Sequence, residues 1–160
     1  MRDADFERLY ADHAQALFGF LAYRTGDRVL AEDLLADTFE RAYGARTRFD
    51  RRRASEKTWL YSIALNLVRD HHRRRAVEGR ALENVGARAG DEPRELDRVE
   101  ARDELGRALA TLSAEERDAV ALRFGADLTV PEIARLTSQP LTTVEGRVYR
   151  ALRKLRDELG

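Results

Sequence analysis

The chain has 160 residues, 36% of them charged and 43% hydrophobic, with 29 basic and 29 acidic side chains that cancel. That length suits one ordinary domain or two small ones, and the composition suits a soluble, helix-rich protein. No apolar run approaches the roughly 20 residues of a membrane span, no signal-peptide pattern marks Met1–Tyr10, and the absence of cysteine excludes disulfides and thiolate metal sites, so a cytoplasmic chain is expected.

Strand-like alternation never persists and Gly and Pro are sparse, so the predicted elements are helices. The first spans Asp5–Arg24, with Phe6, Leu9, Tyr10, Leu17, Phe18 and Leu21 inward, and Gly26 and Asp27 make the turn after it. The second spans Val29–Gly44 with Leu34, Leu35, Phe39 and Ala42 inward, which leaves Glu32, Asp33, Asp37, Glu40 and Arg41 outward. Residues 1–40 hold 4 basic and 9 acidic side chains, a local net charge of −5. An Arg-rich loop, Arg46–Ala54, follows. Ser55 then has the chemistry to cap a third helix running from Glu56 to about Ala76.

That third helix carries the most informative stretch, TWLYSIALNLVRDHHRRR from Thr58 to Arg75. Trp59, Ile63 and Leu67, flanked by Leu60, Ala64 and Val68, make one apolar stripe. Ser62, Asn66, Arg69 and Arg73 recur at three or four on the opposite face. Trp59 has the shape for base stacking, but it shares the stripe with Ile63 and is assigned to the core. Residues 41–80 hold 12 basic and 4 acidic side chains, a net +8, and nucleic acid responds to such a local field rather than to the total. Only Lys57 and Lys154 are lysines; the remaining 27 basic residues are arginines, whose guanidinium matches phosphate.

Residues 77–93 have few large apolar side chains and include Gly79, Gly86, Gly90 and Pro93, the pattern of a flexible linker. A helix from Arg94 to about Thr111 follows. Three capping boxes then mark three helix starts: Ser113 with Glu116, Thr129 with Glu132, and Thr142 with Glu145. A short helix Val130–Thr137, a turn Ser138–Leu141 and a long helix Thr143–Leu159 make a helix-turn-helix. On the long helix Val144, Val148, Ala151, Leu152, Leu155 and Leu159 point inward. Thr143, Glu145, Gly146 and Arg147 sit where such helices read base edges, and Arg150, Arg153 and Lys154 where they hold phosphates.

The fold expected is therefore all-α: an N-terminal domain over 1–76, a linker over 77–93 and a C-terminal helix-turn-helix domain over 94–160. Catalysis is not expected. His71 and His72 are adjacent and point about 100° apart on a helix, unlike the i, i+4 pair of a zinc site, and His13 stands alone. No nucleophile motif, Walker loop or Gly-rich fingerprint is present, so no catalytic residue, metal ligand or cofactor is assigned.

Four segments, in order, resemble those of bacterial RNA polymerase sigma factors of the extracytoplasmic-function (ECF) group of the sigma-70 family, over roughly Phe6–Leu159. AEDLLADTFERAY (Ala31–Tyr43) resembles the helix that docks on the polymerase clamp, which implies a polymerase-binding role for Glu32, Asp33, Asp37, Glu40 and Arg41. TWLYSIALNLVRDHHRRR resembles the helix that melts and reads the −10 promoter element. The Phe49–Lys57 loop is placed like the family's base-capturing loop. By that resemblance Phe49, Asp50, Arg52, Lys57, Ser62 and Asn66 meet bases, and Arg69, Arg73 and Arg74 hold phosphates. LSAEERDAVALRF (Leu112–Phe124) resembles the helix that opens the C-terminal domain. EIARLTSQPLTTVEGRVYRALRKLR (Glu132–Arg156) resembles the −35 reader, with Thr142, Thr143, Glu145, Gly146, Arg147, Arg150, Arg153 and Lys154 on its DNA side.

The resemblance implies a chain that is monomeric when free. Its partners would be core RNA polymerase, promoter DNA that is duplex at −35 and single-stranded at −10, and an anti-sigma factor. The family usually has glycine where Ser138 and Thr142 stand, a basic or small polar residue at Glu145 and serine at Gly146. The turn must therefore avoid a left-handed conformation or strain to reach it. A stand-alone helix-turn-helix regulator, binding duplex DNA without polymerase, is the alternative.

Overall fold

A computed structural model describes residues 1–83 and 100–160, with side chains for 1–79 and 104–160. Among the described residues the regular structure is all helical, with no strand: α1 (Asp3–Thr25), α2 (Arg28–Gly44), α3 (Glu56–Glu83), α4 (Glu100–Ala110), α5 (Ala114–Val120), α6 (Val130–Thr137) and α7 (Leu141–Leu159).

The α1–α2 hairpin is set by two residues. Gly26 adopts a left-handed conformation (φ 69°, ψ 17°) and its amide donates to the Ala22 carbonyl at 2.8 Å. Glycine has no Cβ to clash there. Asp27 then caps α2, its carboxylate accepting from the Val29 and Leu30 amides at 3.0 and 3.2 Å. Ser55 caps α3 as expected, accepting from the Thr58 amide at 3.1 Å.

The N-terminal core joins Leu9, Leu17, Phe20 and Leu21 of α1, Ala31, Leu34, Phe39 and Ala42 of α2, and Leu60, Tyr61, Ala64, Leu65, Leu67 and Val68 of α3. Phe20 meets Tyr61 edge to face at 5.4 Å. Trp59 and Ile63 are only partly buried against this core, whereas Tyr61 and Leu65, which lie off the expected stripe, are fully inside. The reason is that α3 packs against α1, α2 and α6, so its buried arc is wider than one stripe. Tyr10, expected inward, is 50% exposed; only its ring edge meets Phe39, at 4.7 Å.

The stretch expected as a linker divides in the structure. Residues 77–83 continue α3, while 84–93 and the expected start of the next helix at Arg94 lie outside the described residues. Ala76, Glu78, Arg80, Ala81, Leu82 and Glu83 are good helix formers, and the single Gly79 among them costs about 1 kcal/mol against alanine.

Two of the three capping boxes form as predicted, Ser113–Glu116 and Thr129–Glu132. The third does not: α7 starts at Leu141 behind an extended Pro140, with no side-chain cap. Thr142 already lies in the first helical turn, where its hydroxyl cannot reach the amide that an extended capping residue would satisfy. Beyond α5 the chain widens into a π-helical turn, Ala121–Gly125, whose cap amide at Ala126 reaches the Ala121 carbonyl at 2.9 Å. Leu122 in this turn is fully buried.

Val144 and Ala151 bury α7, and Val148 and Leu155 are half-buried. Leu152 and Leu159, expected inward, are 39% and 43% exposed. At 19 residues α7 outruns α5 and α6, with 7 and 8, so its later turns have less to pack against.

The two sets of helices pack on each other. The π-turn lies against α1, α6 lies against α3, and one continuous apolar core runs from Leu9 to Val144.

Candidate nucleic-acid and polymerase interface

On α2, Glu32, Asp33, Asp37, Glu40 and Arg41 are all exposed, opposite the buried Ala31, Leu34 and Phe39. The amphipathic spacing alone puts this acidic face outward.

The loop before α3 is held by local bonds. Asp50 accepts from the Arg52 amide at 2.9 Å and pairs with its guanidinium at 3.4 Å, and Arg51 meets Glu56 at 2.9 Å. Asp50 thus shapes the turn. Arg52 is fully exposed, and Lys57 is half-buried. Phe49 rests on Trp59 with ring centroids 4.8 Å apart, a tilted aromatic pair at the root of the loop. Trp59, assigned to the core from sequence, therefore does both: it packs on the core and carries Phe49.

On α3, Ser62, Asn66, Arg69 and Arg73 fall within an arc of about 60°, given 3.6 residues per turn. Asn66, Arg73 and Arg74 are exposed, and Ser62 is half-buried with its hydroxyl donating to the Trp59 carbonyl at 2.6 Å. Arg73 is tied to Asp70 beside it. Arg41, Asp70, Arg73, Arg74 and Glu78 line an open cleft between α2 and α3. Arg69 turns toward the C-terminal helices, 3.6 Å from Asp118.

The recognition side of α7 is tethered to α5. Buried Glu116 accepts from Lys154 at 2.8 Å and faces the Arg150 guanidinium at 3.9 Å, while also closing the Ser113 capping box. Burial pulls the Glu116 carboxyl up, but the Lys154 ammonium and the Ser113 amide outweigh it and hold the pKa below its ordinary value. Arg150 folds back over Gly146, where a Cβ would sit 3.0 Å from the guanidinium. That gives Gly146 a physical reason: it leaves room for the Arg150 head. Thr142, Glu145 and Arg153 are exposed, and Thr143 and Arg147 half-buried. The turn before α7 takes the strained option: Ser138 is left-handed, at φ 55° and ψ 42°.

Sequence reasoning missed Arg24, Asp118 and Glu116. Arg24 and Asp118 form a buried ion pair at 2.5 Å across 94 positions of sequence. A signal existed: Leu17, Leu21 and Arg24 fall at i, i+4 and i+7, so a cation occupies an apolar-stripe position. Its partner was not predictable, because nothing local points to Asp118. Beside the pair, burial raises the pKa of Tyr23, and burial pushes Tyr61 up to about 12. His71 is pushed down by burial, with Arg75 and Arg74 adding to it. Among the described residues no cluster of His, Cys, Asp or Glu suits a metal ion, and no helix is long and apolar enough to cross a membrane.

The family models for sigma-70 region 2 and sigma-70 region 4 match residues 9–77 and 102–155. The chain is 32% identical to the ECF RNA polymerase sigma factor RpoE of Cereibacter sphaeroides, over 98% of this chain and 87% of that one. It is 30% identical to the ECF RNA polymerase sigma factor BldN of Streptomyces coelicolor, over 94% of this chain but only 58% of the relative's length. The solved structure of the sigma factor RpoE from Bartonella quintana, in complex with the anti-sigma factor NepR, superposes with a TM-score of 0.79 at 26% identity, covering 97% of this chain and 96% of that one. With both sigma regions in order on an all-helical frame, the chain belongs to the ECF sigma factors of the sigma-70 family, whose members act in transcription initiation.

Proposed function

We propose that this chain is a dissociable specificity subunit of RNA polymerase, without catalytic chemistry of its own, that acts in the cytoplasm. It binds core polymerase through the exposed acidic face of α2. It then directs the enzyme to promoters, reading the −35 duplex with α7 and opening the −10 element with α3 and the Phe49–Lys57 loop. The observation that carries this reading is the arc of Ser62, Asn66, Arg69 and Arg73 beside the Phe49–Trp59 pair. Opened strands need cations for backbone phosphates, amide groups for base edges and aromatic or apolar surface for unstacked bases, and this corner of the molecule has all three.

The working division is an N-terminal domain over 1–76, a connecting segment over 77–93 and a C-terminal reader over 94–160. An anti-sigma factor is the expected regulator, supported by the likeness to a sigma factor solved with NepR. The test is reconstitution. Purified chain is mixed with core polymerase, the complex is isolated by gel filtration, and promoter-dependent transcripts are mapped. Co-elution with start-site-specific transcripts is the expected result. Failure to bind core polymerase overturns the reading. Sequence-specific footprints on duplex DNA without polymerase would instead favour the stand-alone regulator.

A further inference from the structure

The two DNA-facing surfaces of this molecule converge instead of facing outward. Arg69, in the α3 arc, and Arg147, on the reading side of α7, line one crevice together with Asp118. Promoter elements named −10 and −35 lie about 25 base pairs apart, or about 85 Å of duplex at about 3.4 Å per step. Residues lining a single crevice cannot sit on both, so this arrangement is not the promoter-bound one.

The contacts that hold it are specific. Asp118 is buried and has two arginine partners from the N-terminal helices: Arg24 of α1 at 2.5 Å through one carboxylate oxygen, and Arg69 of α3 at 3.6 Å through the other. Arg24 is itself 5% exposed. A second polar contact lies at α6, where the buried Thr58 hydroxyl donates to Glu132 at 3.2 Å. Leu122 and Ile133, both fully buried, fill the space between these contacts.

We propose that Asp118 is an internal substitute for a DNA phosphate: its carboxylate occupies Arg69 and, through Arg24, latches the C-terminal helices over the −10 face in the free chain. The inference rests on the sigma-factor reading for the role of Arg69. The carboxylate offers an arginine the same kind of anionic oxygens as a phosphate diester, and the buried Arg24 fixes it in place. Binding of DNA at the arc then requires the latch to open. Affinity measured on the free chain is reduced by the closed fraction, so a latch closed about 90% of the time lowers it about tenfold.

The experiment uses the full chain. The protein has no cysteine, so Gln15→Cys and Asp157→Cys, both at exposed positions, give two unique sites for a fluorescence-transfer pair. Energy transfer and binding of a mixed-sequence single-stranded oligonucleotide are measured for the labelled parent and for Asp118→Asn. Because Asp118→Asn leaves Arg24 buried without its partner, the pair Arg24→Gln with Asp118→Asn is tested alongside, each checked for native helix content. Efficient transfer in the parent, loss of transfer in the variants and about tenfold tighter oligonucleotide binding are expected. Adding Arg69→Ala should abolish that gain. Unchanged transfer, or opening with no gain in binding, overturns the latch. Core polymerase added to the same labelled parent tests the other reading separately. A latch that behaves as stated in a chain that never joins polymerase overturns the sigma assignment and not the latch.

Discussion

The −10 and −35 surfaces present their charge in opposite ways. On α3 the amide and cations at Asn66, Arg73 and Arg74 stand exposed, with Arg73 tied only to its neighbour Asp70. On α7, Arg150 and Lys154 are drawn back toward one buried carboxylate, Glu116, which also caps α5. The first surface is ready to meet an irregular, opened strand. The second is fixed by its own scaffold, as suits a helix that must enter a regular groove in one orientation.

Four outcomes would break or sharpen that contrast, beginning with the largest. Asn66→Ala with Arg73→Ala should slow open-complex formation by about ten- to a hundredfold, corresponding to about 1–3 kcal/mol, with polymerase binding unchanged. Permanganate footprinting and gel filtration read the two activities, and equal loss of both would end the division of labour. Glu116→Gln should lower the stability of the C-terminal helices by about 1–2 kcal/mol, since a hydrogen bond to a charged group is lost within a cap. The sign with pH follows from depressed pKa values. The Thr129 amide holds the Glu132 carboxyl low against the pull of burial, and Lys154 and Ser113 do so for Glu116. Both therefore stabilise the fold above the ordinary glutamate value of 4.5, and that contribution is lost as pH falls through their lowered values. Urea melts taken down past that value should be flatter in Glu116→Gln; an identical pH profile would show that Glu116 contributes nothing.

Ser138→Gly should raise thermal stability by about 1 kcal/mol, because glycine removes the strain of a left-handed serine before α7. The smallest effect is expected at Gly146. Alanine there gains up to about 1 kcal/mol of helix propensity but meets the flexible end of Arg150 at 3.0 Å, which must move aside. Weaker coupling between Arg150 and Glu116 in a double-mutant cycle would confirm that Gly146 leaves room for the tether, and unchanged coupling would refute it.

Helix content and most helix starts were readable because each rests on local chemistry: Ser55, Ser113 and Thr129 cap where their side chains predict. The exposure of α2's acidic residues and of Asn66 was readable for the same reason, since 3.6-residue periodicity needs no knowledge of neighbours. What escaped depends on tertiary context. Tyr61 and Leu65 are buried because a third helix covers α3, and Leu152 and Leu159 are exposed because α7 outruns its neighbours. The Thr142 box failed because Pro140 moves the helix start back to Leu141. The polar contacts that join the two halves, Arg24 with Asp118 and Thr58 with Glu132, span 94 and 74 positions, and periodicity contains no term for such separations.

The length of α3 bears on how far the two readers can part. Twenty-eight residues of helix make a strut about 42 Å long at about 1.5 Å per residue. Residues 77–83 thus add only about 10 Å of span, where extended chain would give about 23 Å. The 16 residues from 84 to 99 cover at most about 55 Å at full stretch. Rigid helix has replaced slack, and replacing Gly79 with a helix breaker such as proline would lengthen the leash without touching either reader, which makes spacer tolerance between promoter elements an adjustable property of this one helix.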